Sequence, residues 1–325
     1  MDGPMTELAP LAAATRGAPM RNAATHAATH AATHATHAPG RPLAVVFNPT
    51  AGRRKAKRLA AALELLRGEG AALDLEHTAA RGDAERLARG TPQSQTLIVA
   101  GGDGTANEAA NGRLAAGGGR LALIPLGTAN VLAAELGIED LRQAAQAATK
   151  GRPLICRPGI ANGRAFVMMA GVGFDAHVVA GVSPRLKRLL GKGAYVLEML
   201  RQLVSFPFPS YRVSIDGVEH EAASVVVARG RYYGGRFVVA PEARLDRAEL
   251  HVCLFRRGGV WRTIRYALAL ALGKLPGLSD IEIVTGRRVV IDGPIGDPVQ
   301  GDGDIIARLP VTIELSPVAL ELMRP

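Results

Sequence analysis

The chain has 325 residues, 48% of them hydrophobic and 21% charged, an ordinary globular mixture that excludes wholesale disorder and suits two domains of roughly 100–200 residues each. Lys and Arg number 39 against 29 Asp and Glu, and the net charge of +10 favours anionic partners. Aromatics are only 4%, poor material for stacking bases, so no nucleic acid is expected; the two cysteines, Cys156 and Cys253, exclude a disulfide scaffold or zinc module and fit a reducing compartment.

Residues 1–40 are rich in Ala and Thr and repeat Ala-Ala-Thr-His. On a helix His26, His30, His34 and His37 would share a face and could hold a metal, but low complexity points to an unstructured tail. From Arg41 the pattern changes. Leu43–Phe47 reads as a buried strand ending in Asn48-Pro49. Residues 53–66 place Leu59, Ala62, Leu63 and Leu66 on one helical face, behind the basic start Arg53, Arg54 and Lys55. A second strand follows at 73–77, and Asp83 is placed to cap a short helix ending near Arg89. Strands at 96–100 and 121–124 each lead into a turn and a helix. Strands alternating with helices imply parallel pairing, and in such sheets ligands bind beyond the carboxyl ends of the strands. Three turns, 48–52, 101–107 and 127–130, lie at that edge.

After about residue 152 short apolar runs recur between turn residues, with helical stretches only near 184–205 and 259–273. That rhythm marks an antiparallel β domain. The expected organisation is a tail (1–40), an α/β domain (41–152) and a β-rich domain (153–325) whose last strand is free to return to the first. The apolar run near 266–272 is far short of the roughly 18 residues a membrane span needs, and no signal peptide is evident, so a cytosolic protein is expected.

Gly101-Gly102-Asp103-Gly104-Thr105 directly follows a strand and opens a helix, the setting in which glycines let a phosphate approach backbone N–H groups. A carboxylate there suggests an intervening Mg²⁺ or a ligand hydroxyl, or else a helix cap. The segment Gly101–Gly112 resembles the nucleotide-binding signature of the diacylglycerol kinase catalytic domain, the bacterial lipid kinase family that also includes the sphingosine kinases. Further segments resemble that family's markers in order: Asn48–Gly52, Thr78 with Gly82-Asp83-Ala84, Pro125–Asn130, Ala170–Ala176, Tyr233-Gly-Gly235 with Ala240-Pro241, and Gln300-Gly-Asp-Gly-Asp304 with Leu309-Pro310. The resemblance spans residues 43 to about 322.

It implies an N-terminal α/β domain with a parallel sheet, similar in fold to NAD kinases and phosphofructokinases, and a C-terminal antiparallel β-sandwich. It implies transfer of the γ-phosphoryl group of ATP, with Mg²⁺, to a lipid hydroxyl such as that of a diacylglycerol. An NAD kinase-like enzyme acting on a soluble substrate and a non-catalytic nucleotide-binding protein are the rival readings. The resemblance assigns ATP to Asn48, Pro49, Thr50, Ala51, Gly52, Thr78, Gly101, Gly102, Asp103, Gly104, Thr105, Ala106, Asn107 and Thr128. It makes Asp302 and Asp304 the acidic pair, Asp302 the leading general base and Asp304 its partner, with the order reversible. In an extended segment the two would share a face, and their repulsion would raise one pKa. Asp292, in Ile291-Asp-Gly-Pro294, is a weaker match to the same motif. Asp175 is placed between binding the acceptor and capping a helix. Family members carry a second acidic residue after Leu245-Asp246 and hold a structural Mg²⁺ there. This chain has Arg247 instead, which leaves Asp246 a doubtful metal ligand and suggests that Arg247 supplies the positive charge.

A lipid kinase must visit the bilayer. Basic and apolar residues adjoin at 184–203 and at 256–272, which suits an anionic membrane surface, although apolar helix faces also serve as core. The expected location is cytoplasmic and peripheral to the inner face of the cell membrane. The expected partners are a membrane lipid and, if the chain self-associates, a second copy in a homodimer.

Overall fold

The computed structural model describes residues 43–49, 53–182 and 192–325. The histidine-bearing tail, Thr50, Ala51 and Gly52, and the basic segment 184–191 lie outside the described residues.

The first lobe runs β1 (Leu43–Phe47), α1 (Arg53–Gly68), β2 (Leu73–His77), α2 (Asp83–Gly90), β3 (Leu97–Gly101), α3 (Asp103–Ala115), β4 (Gly119–Pro125), α4 (Val131–Glu135), α5 (Leu141–Lys150) and β5 (Arg152–Cys156). Strands β2, β1, β3 and β4 lie side by side and all run parallel. The central strands β1 and β3 are almost wholly buried, as a sheet covered on both faces requires, whereas β2 at the edge stays half wet. Helix α1 buries Leu59, Ala62, Leu63 and Leu66, the face that their spacing predicts.

The second lobe begins with β6 (Gly159–Ala161), β7 (Arg164–Phe166), β8 (Met169–Val172), α6 (Phe174–Gly181) and α7 (Lys192–Ser205). It continues through β9 (Tyr211–Ile215), β10 (Val218–Ala222), β11 (Ser224–Ala228), a two-stranded ribbon of β12 (Tyr232–Tyr233) and β13 (Phe237–Val238), β14 (Leu250–Phe255) and α8 (Val260–Ala271). Then come β15 (Ile281–Gly286), β16 (Arg288–Asp292), β17 (Pro298–Gly301), β18 (Asp304–Arg308), β19 (Val311–Leu315) and β20 (Leu320–Arg324).

Two six-stranded antiparallel sheets form a sandwich, one ordered β10-β9-β16-β19-β6-β7 and the other β15-β14-β11-β8-β17-β18. Strand β11 shows why. Val225 and Val227 point into the core between the sheets, and Val226 and Ala228 into a second core under α8 with Tyr266 and Ala269. Side chains alternate along a strand, so an all-apolar strand is buried on both faces. The chain returns at its end: β20 joins the first sheet, parallel to β4 and antiparallel to β5.

Candidate active site

The phosphate-type loops meet through their backbones. A Cβ built on Gly127 would sit 2.5 Å from the Gly102 Cα, so these two turns can touch only as glycines. Asn48 Nδ2 donates to Thr105 Oγ1 (3.2 Å), and the Thr78 N–H donates to the Phe47 carbonyl (2.9 Å), which joins three of the loops in one edge. Thr128 is exposed at the tip of the 127–130 turn. The Arg53, Arg54 and Lys55 backbone opens α1; their side chains lie outside the description.

Three side chains of this edge do other work than the sequence suggests. Asp103 opens α3, but its carboxylate is directed at α4: Oδ1 accepts from the Leu132 N–H (3.3 Å), and the neighbouring amides of Val131 and Asn130 help to pull its pKa down. Burial raises its pKa against that pull. It caps a helix other than its own and is not presented as a cation ligand. Asn107 is buried and bridges the lobes, donating to Asp302 Oδ2 (2.8 Å) and the Ala165 carbonyl (3.1 Å), so its side chain is not offered to a nucleotide. Asp83 does not cap α2, whose N-cap is Gly82; its Oδ2 accepts from the amides of Ala79 (2.8 Å) and Ala80 (2.9 Å) and shapes the 78–82 loop. These bonds hold its carboxyl below the usual value. Ala106 is packed in the first-lobe core.

The acidic pair is divided. Asp302 and Gly303 form the two-residue turn between β17 and β18, with φ of 51° and 88°, so the segment is not extended. Both residues of such a hairpin turn take positive φ, and Asp-Gly is a favoured pair for it. The turn sends the two carboxylates apart. Asp302 points inward: Oδ2 accepts from Asn107 Nδ2 and the Val167 N–H (2.7 Å), and Oδ1 from the amides of Met168 (2.9 Å) and Met169 (3.0 Å). Its pKa is raised, with burial the largest cause rather than repulsion from Asp304. Asp304 is half-buried and faces the first lobe, with Oδ2 3.7 Å from a Cβ built on Gly104 and Oδ1 3.4 Å from Arg81 Nη2. Asp304 is therefore the carboxylate open to a substrate, and Asp302 the anchor beneath it. Asp292 ends β16 in the opposite sheet of the sandwich.

Asp175 lies in the first turn of α6, whose N-cap is Gly173. Oδ1 accepts from the Ala176 N–H (2.8 Å) and Oδ2 from Gln300 Nε2 (3.1 Å), and the carboxylate helps burial raise the pKa of the neighbouring Tyr233 hydroxyl. Burial lifts its pKa to about 6. The carboxylate is engaged from inside the protein.

At the expected metal position, Arg244 grips Asp246 through two bonds, Nε to Oδ1 (3.1 Å) and Nη2 to Oδ2 (3.2 Å), and lowers its pKa. Arg244 makes the direct contact, and Arg247, expected to supply the charge, adds a smaller electrostatic pull without bonding Asp246. Among the described residues no cluster of three or more His, Cys, Asp or Glu could hold a metal. These donors do not fit a resident Mg²⁺ at Asp246. The loop edge, built of amides and hydroxyls, fits a Mg²⁺ carried on nucleotide phosphates.

Sequence reasoning assigned no role to Arg81, Tyr233 or Gln300. The last two lay within quoted motifs, but nothing in the order of residues reveals that they meet Asp175.

The first lobe matches the family model described as the diacylglycerol kinase catalytic domain, over residues 42–155. The second matches the YegS C-terminal NAD kinase beta sandwich-like domain, over residues 168–324. The chain is 30% identical over 278 residues to "Diacylglycerol kinase" of Bacillus subtilis, covering 82% of this chain and 90% of the relative. It is 35% identical over 221 residues to "Probable lipid kinase YegS-like" of Pseudomonas aeruginosa, covering 65% of this chain and 71% of the relative. A solved Bacillus anthracis structure, described as a candidate diacylglycerol kinase, superposes with a TM-score of 0.67 at 25% identity, covering 87% of this chain and 95% of that one.

Proposed function

The chain belongs to the bacterial diacylglycerol kinase catalytic-domain family, and we propose on that premise that it transfers the γ-phosphoryl group of ATP to the hydroxyl of a diacylglycerol-like lipid. The observation that carries this reading is the Asp304 carboxylate facing Gly104 across the cleft, 3.7 Å from where a side chain there would begin. Backbone amides of the 101–105 turn, at the start of α3, hold the phosphates. Asp304 takes the proton as the lipid oxygen attacks the γ-phosphorus and the bond to the ADP oxygen breaks. A general base of this kind contributes ~10²–10⁴-fold. Arg81, now on Asp304, is exposed and free to turn to the phosphates, which uncovers the base as ATP arrives. Mg²⁺ bound with the nucleotide would supply charge neutralisation at the phosphate oxygens.

The acceptor is reached at an anionic membrane surface. Among the described residues no helix is long and apolar enough to cross a membrane. Helix α7 supports a peripheral encounter because its burial is inverted. It tucks Glu198 and Gln202 inward, hydrogen-bonded to each other (2.8 Å), and exposes Val196, Leu197, Leu200 and Val204. Beside it α8 packs Tyr266 and Ala269 on the sandwich and turns Trp261 and Leu268 outward, with Leu272 just beyond. Arg262 and Arg265 are taken by Asp280 and Arg256 by Glu282, so the apolar groups contribute more here than the basic count implies.

Incubating the full chain with γ-labelled ATP, Mg²⁺ and a total lipid extract should carry label into the organic phase, and Asp304→Asn should abolish most of it. Label on NAD instead, or ATP turnover indifferent to lipid, would overturn the reading.

A further inference from the structure

The catalytic turn is held from two sides. On one side Asn107 of the first lobe and the 167–169 amides of the second fix Asp302. On the other, Gln300 Oε1 accepts from the Gly303 N–H (3.0 Å) while Gln300 Nε2 donates to Asp175. Gln300 is buried at a β-bulge, where β17 and β18 shift register. Bulges re-aim side chains beside active sites. A side-chain amide donates through its nitrogen and accepts through its oxygen at once, with no change of protonation. Asp175 also lies near the Tyr233 hydroxyl on the β12–β13 ribbon, and burial and this carboxylate together raise the hydroxyl's pKa. That ribbon is tied to the first lobe: the Arg231 N–H and Nε donate to Glu135 at the end of α4 (3.0 and 3.3 Å), and Arg236 pairs with Glu139 (3.3 Å). Glu135 closes the helix whose start Asp103 caps. Bonds thus tie the glycine-rich turn to the ribbon, and Asp175, beside the ribbon's Tyr233, to the catalytic turn.

We propose that Tyr233, Asp175 and Gln300 are positioning residues: a relay, half-buried at Tyr233 and Asp175 and buried at Gln300, that sets the Asp302-Gly303 turn and so aims the Asp304 carboxylate. The proposal rests on the reading that Asp304 accepts the hydroxyl proton. None of the three need touch substrate. The turn residues both sit at positive φ, and the Gln300 bond holds the second of them, so its loss loosens the turn on the side from which Asp304 departs. A misplacement of about 1 Å at a reacting group costs up to ~10²-fold in rate.

The test uses the full chain, γ-labelled ATP and a total lipid extract. Gln300→Met should lower kcat by ~10–100-fold and Tyr233→Phe by ~3–10-fold, with KM for ATP within about twofold of the parent. In an Asp304→Asn background neither change should lower the residual rate further, because the relay acts through that carboxylate. Backbone hydrogen exchange at 299–305 should quicken in Gln300→Met and Tyr233→Phe but not in Asp304→Asn, a readout that needs no activity. Unchanged exchange in both relay variants, a parallel rise in KM for ATP, or equal losses in the Asp304→Asn background would overturn the relay. Full activity in Asp304→Asn alone would instead overturn the functional reading it rests on.

Discussion

Replacing Asp302 by asparagine keeps the shape of the side chain and removes half of its accepting capacity. In the native turn four donors converge on it: Met168 and Met169 amides on Oδ1, the Val167 amide and Asn107 Nδ2 on Oδ2. An asparagine oxygen can keep one pair, but its NH₂ then confronts the other. Asn107 cannot simply turn round, since its Oδ1 accepts from Asn111 Nδ2 (3.1 Å) and its Nδ2 donates to the Ala165 carbonyl. Each buried donor left without an acceptor costs about 1–3 kcal/mol, so two cost about 2–6 kcal/mol. Relief from burying a charge offsets part of this, and the net loss should be about 2–4 kcal/mol, a large share of the ~5–15 kcal/mol that holds a typical domain. Asp304→Asn removes only an exposed pair with Arg81 and should cost less than about 0.5 kcal/mol. Its turnover should nonetheless fall ~10²–10⁴-fold. Urea unfolding and labelled-phosphate transfer, run on the same preparations, separate the two effects. If Asp302→Asn unfolds like the parent yet loses turnover, while Asp304→Asn keeps turnover, the division of labour is the reverse of the one argued here.

Other expectations follow from single sites. Gly112→Ala should destabilise by about 2 kcal/mol or more despite a helix-propensity gain of ~1 kcal/mol, because its Cβ would lie 2.2 Å from the Glu85 carbonyl oxygen of α2; a neutral or higher melting temperature would mean that the α2–α3 packing is looser than described. Asp175 has a folded pKa of about 6, above its unfolded value near 3.8, so its stabilising contribution is complete below about pH 4 and lost as pH rises through about 6. Asp175→Asn should therefore gain about 1–3 kcal/mol on the parent at pH 8 relative to its effect at pH 4.5, while losing turnover; a pH-independent difference in urea unfolding would refute this. Chelation of the nucleotide-free protein should leave its melting temperature unmoved, since Arg244 already neutralises Asp246; a clear fall on chelation, reversed by Mg²⁺, would place a structural ion there.

Periodicity and turn chemistry act over a few residues, and that is the range over which the sequence alone was decisive. The α1 face of Leu59, Ala62, Leu63 and Leu66, the parallel strands between glycine-rich turns, and the alternating strands of the second lobe all follow from neighbours in the chain. The Asp302-Gly303 turn is of the same short range, since Asp and Gly accept positive φ, yet the extended segment expected there proved to be this turn. The use of each carboxylate was decided elsewhere. Asp302 finds Asn107 at a separation of 195 residues, and Gln300 finds Asp175 at 125. Asp103 caps a helix start 29 residues on, and β20 rejoins the first sheet only after the whole sandwich has been built. A buried carboxylate takes whichever donors packing brings to it, and those donors are mostly backbone amides, which every residue carries alike. Only the tertiary structure could say which oxygen faces them and which faces the cleft.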